Sequence, residues 1–334
     1  MGVSVRGKVT DLSVEYNGLS LTTFMQPPPR HLSEFIEYYY GEEAVLSDYS
    51  GEYMPHQVVE LPSPGVGMHF CYHDTTFTFK DNNKRVAIGS SVTGPHNLQT
   101  PFVVSDFKKV CKVIHIKFRP GGFFRLFRIP ESEIRNTFYE LPAVIGNEIR
   151  SIENRLNDCA STAERILILD NYFSRKIKYK SYEASMENVL AATSVIVEAG
   201  GRKRIREVMR QLHVAKRTLD RQFISWLGLT PKEFSRVVRF KDVMNSILGT
   251  NNPDWCGLAE THGYYDQAHL IDEFKTATSI PPDSFVKHSG RSIVRFRTGL
   301  FITMLTRPID DMPSSYRELM RETIQNDEKV RKLI

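Results

Sequence analysis

The sequence predicts an α+β multidomain protein, in which a β-rich, barrel-like first domain with following helices precedes an all-α domain of two helix-turn-helix units. Three observations lead to this prediction. Short β-branched and aromatic runs occupy the chain up to about Phe118. After the turn at residues 119–122, the apolar residues recur with a helical period. From Met186 onward, short helical segments follow one another between Gly and Pro breaks.

Composition limits the class of protein. The 334 residues are 41% hydrophobic and 25% charged, which is ordinary for a globular chain with two cores. No apolar run reaches the ~18 residues of a membrane helix, and the sequence from Met1 to Ser20 lacks the apolar core of a signal peptide. We therefore expect a cytoplasmic protein with no membrane partner. Four widely separated cysteines, which we expect to be buried thiols, are Cys71, Cys111, Cys159 and Cys256.

The first domain contains short predicted strands such as Phe77–Phe79 and Val113–Ile116, separated by Gly, Pro, Asn and Asp. No long amphipathic helix lies between these strands, which favours a small barrel or sandwich over a parallel sheet. A following helix is predicted by one apolar face, formed by Ile145, Ile149, Ile152 and Leu156. Ser161 or Thr162 is predicted to cap a second helix, and its basic exit places the end of the first domain at residue 180.

Two short helices joined by a tight turn are predicted between Ile205 and Phe223, with the turn at His213-Val214. This is the spacing of a helix-turn-helix unit. The second helix is expected to present polar side chains to a DNA major groove, where they can reach base edges and phosphates. The candidate DNA-binding residues of this unit are Lys216, Arg217, Thr218, Asp220 and Arg221.

A comparable unit follows, with Leu258-Ala259 on one helix, a turn at His262-Gly263 and a helix from about Asp266 to Ala277. Asp266 suits the N-cap of that helix. Between the units, an apolar helix from Phe234 to Leu248 is expected to hold the two at a fixed separation. The candidate DNA-binding residues of the second unit are Gln267, Ala268, His269, Asp272 and Lys275.

Three segments, Arg217–Phe223, Gly228–Pro231 and Gly263–His269, resemble the signature of AraC-type (AraC/XylS-like) transcription regulators. The match extends from about Met186 to His288. The resemblance implies a double helix-turn-helix domain over residues 185–290 that binds double-stranded DNA, and a regulator of transcription rather than an enzyme. This sequence departs from the family pattern at Ala215 in the first unit and at Leu270, Asp272, Ser279 and Pro281 in the second.

The first domain resembles the amino-terminal region of one AraC subgroup, through Pro27–Pro29, Leu32 and Tyr38-Tyr39 and through Phe118–Gly122. The resemblance implies a barrel-like, cupin-like domain over residues 1–180 that serves sensing or dimerisation. A small-molecule effector and a second copy of the chain, as a homodimer, are therefore candidate partners.

Charge separates the two helix-turn-helix units. Residues 202–241 carry twelve basic and three acidic side chains, whereas residues 242–290 carry two basic and seven acidic ones. Because phosphate neutralisation dominates nonspecific affinity for DNA, the first unit is expected to be the main anchor. The second unit either binds DNA weakly, reads bases mainly through Gln267 and His269, or faces a protein partner such as RNA polymerase.

A metal site is the main alternative in the first domain. His69, Cys71 and His73 alternate along a predicted strand and share one face, and His115 is a candidate to join them. No carboxylate at a fitting spacing accompanies them, and lone strand histidines are usually structural, so we assign neither a metal nor another cofactor. The rival function is a cupin-like metal- or small-molecule-binding barrel that acts as a sensor or enzyme without specific DNA binding. Since no phosphate loop, nucleophile elbow or paired-carboxylate pattern is found, we expect no enzymatic activity.

Residues 291–334 form a C-terminal extension outside the resemblance. The apolar stretch from Ile293 to Leu305 is too hydrophobic to remain in water, so it either completes a domain core or forms a partner interface. A last helix is predicted by the capping box of Ser315 with Glu318.

Overall fold

The structure is a computed structural model that describes residues 12–16, 19–46, 58–60, 62–73, 75, 77–81, 84–98, 102–107, 110–177, 184–247, 252–278, 281–289 and 301–303. It has a mixed α and β architecture, with an antiparallel β region first and helices after it. This order of β region and helices confirms the corresponding part of the predicted fold class.

Two sheets make up the β region. The strands are β1 Leu12–Tyr16, β2 Leu19–Gln26, β3 Ile36–Leu46, β4 Val58–Glu60, β5 Gly67–Cys71, β6 Phe77–Asp81, β7 Lys84–Ile88, β8 Ser91–Thr93, β9 Phe102–Phe107, β10 Val110–Phe118, β11 Phe138–Glu140 and β12 Phe301–Thr303. The first sheet has the order β1-β2-β3-β10-β5-β8-β11, and the second has the order β12-β4-β9-β6-β7. Every strand pair described is antiparallel, as expected for a barrel or sandwich.

Short helices follow the β region. They are α1 Gly122–Phe127, a 3-10 turn at Glu131–Glu133, α2 Leu141–Ile145, α3 Glu148–Asp158 and α4 Thr162–Lys176. Ser161 is the cap of α4, because its hydroxyl accepts the N–H of Glu164 in a capping box. One expectation is wrong: Ile145 does not share a helix with Ile149, since Gly146 ends α2 at a φ of 106° that favours glycine.

Strand β10 divides the residues of the first sheet between two buried faces. Ile116 and Phe118 point toward the helices, and the Phe118 ring lies 5.8 Å from Phe173 on α4. His115 and Lys117 alternate with them and point to the opposite face. The first face is therefore the apolar core, and the second face is a buried surface that carries polar groups.

The C-terminal helices are α5 Ala184–Glu198, α6 Ile205–Gln211, α7 Lys216–Leu227, α8 Pro231–Ile247, α9 Trp255–Thr261, α10 Gln267–Thr278 and α11 Pro282–Ser289. Helix α8 joins two apolar clusters. Phe234 packs with α5, α6 and α7, whereas Val237 and Phe240 pack with α9, α10 and α11. The predicted connecting helix is confirmed, with its start three residues earlier because Thr230 forms a capping box with Glu233.

The turns between α6 and α7 and between α9 and α10 have the same backbone geometry. His213 and Gly263, fifty residues apart in the chain, adopt left-handed conformations with φ of 53° and 69°. In each turn the next residue donates its N–H to the carbonyl five residues earlier, at 3.1 Å for Val214 and 2.8 Å for Tyr264. This bond closes the preceding helix and reverses the chain direction, so the sequence correctly placed both turns.

Replacing Gly263 with alanine is expected to lower the free energy of unfolding by about 1 kcal/mol, because an L side chain is strained at this φ. A Cβ at Gly263 would lie 3.5 Å from the nearest atom, in Arg202, so the penalty comes from the backbone alone. The matched change His213→Gly is expected to stay within about 0.5 kcal/mol of the wild type, since relief of strain offsets the added chain entropy. Thermal unfolding followed by circular dichroism measures both, and equal losses would contradict the shared turn geometry.

The cysteines and the C-terminal extension differ in part from expectation. Cys71 is buried, but Cys159 is partly exposed and Cys256 is exposed, so not all the cysteines are core thiols. In the extension, Phe301–Thr303 pairs with β4 at the edge of the second sheet, which adds part of the apolar stretch to the β region. The predicted capping box at Ser315 lies outside the described residues.

Candidate nucleic-acid interface

Helix α7 has one buried and one exposed face. Leu219, Phe223 and Leu227 are fully buried in the cluster formed with α5, α6 and α8. This packing turns the opposite face to solvent. Of the candidate DNA-binding residues, Lys216, Arg217 and Arg221 are exposed, and Thr218 and Asp220 are half-buried.

The first turn of α7 is held by a side-chain pair. Ala215 takes the N-cap position with an extended backbone and makes no side-chain hydrogen bond. Lys216 forms an ion pair with Asp220 one turn later, and the Lys216 side chain is 74% exposed. An exposed pair of this kind contributes little stability, so Lys216 can exchange its partner for a phosphate. Asp220 can accept a hydrogen bond from a base amino group but repels phosphate.

Helix α10 exposes the residues predicted for the second unit. Asp266 caps it as expected, since its Oδ1 accepts the N–H of His269 at 2.8 Å. The His269 ring is partly engaged, because its Nδ1 lies 3.4 Å from the backbone N–H of Tyr265. The candidate residues Gln267, Ala268, His269, Asp272 and Lys275 are all exposed.

Ion pairs reduce the positive charge expected from residues 202–241. Arg202 pairs with Asp242 at 2.9 Å. Arg236 and Arg239 both pair with Glu273, at 2.8 and 3.4 Å. The simple count therefore overstates the charge that this segment offers to phosphates. Basic side chains of this segment that are exposed and lie outside these pairs and outside the Lys216–Asp220 pair are Arg204, Arg206, Arg210, Arg217, Arg221 and Lys232.

The end of α7 is packed against the short helices that follow the β region. The Phe124 and Trp226 rings meet edge to face with centroids 4.2 Å apart. A Cβ on Gly228, which ends α7 at a φ of 66°, would lie 2.8 Å from the carbonyl oxygen of Glu131. The C-terminal end of α7 therefore contacts α1 and the 3-10 turn, while the exposed face of the same helix is turned to solvent.

A polar contact joins the start of α8 to residues of the first part of the chain. Glu233 Oε1 accepts hydrogen bonds from Arg135 at 2.6 Å and from Asn97 at 3.3 Å. Burial alone would raise the pKa of Glu233, but hydrogen bonds from Thr230 and Asn97 and the charge of Arg135 lower it below its ordinary value. Sequence reasoning missed Glu233, although the spacing of Thr230 and Glu233 is a capping-box signal that could have identified its orientation.

The polar face of the first sheet contains a histidine pair. Antiparallel pairing of β5 with β10 places His69 opposite His115, and their Nδ1 atoms are 2.6 Å apart. His69 Nε2 lies 3.0 Å from Thr93 Oγ1, and the Tyr40 ring stacks on His115 at 5.4 Å. Burial lowers the pKa of His69 to about 3, aided by the charge of Lys117. Burial also lowers the pKa of His115, so the pair is neutral at pH 7.

The predicted alternation of His69, Cys71 and His73 is partly wrong. His73 lies after the end of β5, in a turn with φ of 53°, and is exposed. Cys71 remains on the buried strand, and burial raises the pKa of its thiol. Within the described residues, no three His, Cys, Asp or Glu side chains are grouped so as to hold a metal ion.

No helix among the described residues is both long and apolar enough to cross a membrane.

Comparison with known proteins matches residues 25–140 to the model of a domain of unknown function (DUF6597). No curated protein sequence matches the chain. ToxT from Vibrio cholerae O395 is similar in structure with a TM-score of 0.41 and 11% identity, covering 81% of this chain and 98% of that chain. Unsaturated fatty acid-bound wild-type ToxT from Vibrio cholerae strain SCE256 gives a TM-score of 0.39 and 12% identity, covering 69% of this chain and 90% of that chain.

A mutant of oxalate decarboxylase from Bacillus subtilis gives a TM-score of 0.20 and 10% identity, covering 42% of this chain and 43% of that chain. Similarity at these TM-scores assigns no function to this chain.

Proposed function

We propose that the protein is a sequence-specific, double-stranded DNA-binding transcription regulator of the AraC type, with residues 185–290 as its DNA-binding domain. The observation that supports this most is the repeated turn geometry at His213 and Gly263, each followed by a helix with an exposed polar face. A helix presented in this way fits a DNA major groove. Residues 1–180 then form a cupin-like domain for sensing or dimerisation, and the protein is not an enzyme.

The first unit is the main DNA anchor in this proposal. Arg217 and Arg221 are exposed one turn apart on α7, and neither is among the arginines paired with carboxylates. Arginine binds guanine through two parallel hydrogen bonds, and it also binds phosphate. In the second unit, the exposed Gln267 can pair with adenine, whereas Asp272 repels phosphate.

Selection from a random pool of double-stranded DNA tests the proposal. The purified full-length chain is expected to enrich one sequence motif, and a version with both Arg217 and Arg221 changed to alanine is expected to enrich none. Recovery of the input distribution by the wild-type chain would reject specific DNA binding. It would favour the rival function, a cupin-like metal- or small-molecule-binding barrel that acts as a sensor or enzyme without specific DNA binding.

The buried polar face of the first sheet supports a small-molecule effector as a second candidate role of the β region. His69, His115 and Tyr40 lie on this face together with Lys117, whose ammonium donates to the Gly65 carbonyl at 2.9 Å, so the face is polar and carries a positive charge. Thermal-shift screening of small carboxylic acids tests this role, with Lys117→Met as the variant expected to lose the shift.

Asp272→Arg tests whether Asp272 limits the second unit. Asp272 is exposed on α10, so the change replaces a phosphate-repelling group with a phosphate-binding one. We expect affinity for the selected site to rise about tenfold at low salt, with a steeper salt dependence. Fluorescence anisotropy across a salt series measures both quantities.

The matched control is Asp158→Arg, which makes the same substitution at an exposed position at the end of α3, outside the helix-turn-helix units. It is expected to keep the wild-type affinity, since the positive charge that it adds lies outside the proposed DNA-binding domain. An unchanged affinity and footprint for Asp272→Arg would show that Asp272 does not limit a groove contact.

A further inference from the structure

A buried carboxylate lies between the connecting helix α8 and helix α10, which we call the second reading helix because α7 and α10 are the two helices proposed to enter the DNA groove. The Glu273 side chain on α10 is 1% exposed, and its Oε2 accepts a hydrogen bond from Arg236 on α8 at 2.8 Å. Arg239, one turn further along α8, contacts both carboxylate oxygens at 3.4 Å. The Tyr264 hydroxyl in the turn before α10 donates to Oε1 at 2.9 Å. Glu273 therefore joins three segments of the helical region.

The surroundings of Glu273 fix its arginine partner as well. The Arg239 guanidinium lies 4.2 Å from the centroid of the Tyr264 ring and donates to the carbonyl of Gly263 at 3.3 Å. Glu273 is thus held by charge and by hydrogen bonds, and its partner Arg239 is held by a cation–π contact from another direction. This arrangement resists rotation of α10 on α8 more than an apolar contact alone would, because apolar packing is not directional.

A second set of polar contacts joins the first unit to α8 and to the turn of the second unit. Arg202, just before α6, pairs with Asp242 on α8, and Asp242 also contacts His262 Nδ1 at 3.2 Å. His262 belongs to the turn of the second unit, and its Nε2 lies 3.0 Å from Ser246 Oγ. Residues of both units therefore meet on one side of α8.

We propose that Glu273 is a positioning residue that fixes the second reading helix relative to the first, and that it thereby sets the spacing between the two DNA segments the protein recognises. This inference rests on the proposed DNA-binding function. His269 and Asp272 lie on α10 within one turn of Glu273, so a rotation of α10 about the Glu273 contact would move the exposed residues directly. Replacing the carboxylate with an amide removes the negative charge that holds the partly exposed Arg236 and Arg239, and it leaves α10 freer to shift.

The test compares Glu273→Gln with the wild-type chain on a series of DNA probes. The parent probe is the site enriched by the wild-type chain, and the others carry one, two or three base pairs inserted between its two protected segments. Each insertion rotates one segment relative to the other by roughly 35°. We expect the wild-type chain to lose at least about tenfold in affinity with two inserted base pairs, because one unit can no longer bind. Glu273→Gln is expected to bind the parent probe about tenfold more weakly and to vary less than about threefold across the series.

The control is Glu260→Gln, which removes an exposed carboxylate from α9 with the same charge change and is expected to keep the wild-type profile. Should Glu273→Gln fail to fold in a circular dichroism melt, Tyr264→Phe removes only the hydroxyl donor and is expected to flatten the profile partially. A wild-type spacing profile in the folded Glu273 or Tyr264 variant would overturn the proposal.

A measurement without DNA separates this proposal from the proposed function. Spin labels at Cys256 on α9 and at the substitution Glu198→Cys on α5 report the distance between the units, with Cys111 and Cys159 changed to serine and the buried Cys71 left in place. We expect a narrow distance distribution in the wild-type background and a broader one with Glu273→Gln. An unchanged width would overturn the positioning role, whereas failure of the DNA selection with a broadened distribution would count against the proposed function alone.

Discussion

Replacing Arg217 or Arg221 with alanine is expected to weaken binding to the selected DNA site by about 1–3 kcal/mol for each side chain that pairs with a guanine. Both side chains are exposed on α7, while the buried face of that helix is held by Leu219 and Phe223. Truncation to alanine should therefore leave the fold intact. Fluorescence anisotropy at fixed salt gives the affinities, and a salt series shows whether a phosphate contact was lost as well.

Arg150→Ala is the matched control, since Arg150 is an exposed arginine on α3 in the first region. It should bind DNA as the wild type does. If the Arg217 and Arg221 variants both kept wild-type affinity and sequence preference, the assignment of α7 as the reading helix would be wrong.

Acidification is expected to destabilise the β region through the His69–His115 pair. The folded-state pKa of His69 is about 3, below its ordinary value of 6.5, so this stabilisation is complete above pH 6.5 and is lost as the pH falls toward 3. His115 acts in the same direction. At pH 5 the loss from His69 is about 2 kcal/mol, because the unfolded chain binds a proton that the folded chain excludes.

Glu131 acts in the opposite direction. Burial raises its pKa to about 8, so its stabilisation is complete below pH 4.5 and is lost as the pH rises through 8. Comparison of a variant with the wild type over the same pH range therefore isolates the contribution of His69. Between pH 7.5 and pH 5, His69→Gln should lose about 2 kcal/mol less stability than the wild type in urea unfolding.

Cys71→Ser is the control for this change, because Cys71 lies on the same strand two residues away. It is expected to keep the wild-type difference between the two pH values, since burial moves the pKa of the Cys71 thiol up and away from this range. An identical pH dependence in wild type and His69→Gln would show that the histidine pair is not buried in its neutral form.

Local signals in the sequence predicted most of what is local in the structure. Ser161 caps α4, Asp266 caps α10, and the turns fall at His213 and Gly263, because each depends on a few neighbouring residues. The helical phase of α7 likewise follows from the spacing of its buried residues, and the exposure of Arg217 follows from that phase.

Long-range pairing could not be predicted in the same way. The meeting of His69 with His115 depends on the register of β5 with β10, which is set across 46 residues of chain. Arg236 and Arg239 belong to the basic charge of residues 202–241, but in the fold both pair with Glu273 on α10, which offsets one of their two charges. A charge count along the chain therefore predicted the positive surface near Arg217, but it overestimated the positive charge on α8.

Hydroxyl-radical footprinting of the full-length chain on its selected site tests the central claim most directly. Two units held together by α8 predict two protected segments on one face of the duplex, about 10 base pairs apart, with the stronger protection under the first unit. Arg217→Ala should remove that stronger segment first. A single protected segment, or uniform protection along the probe, would contradict paired reading of DNA by α7 and α10.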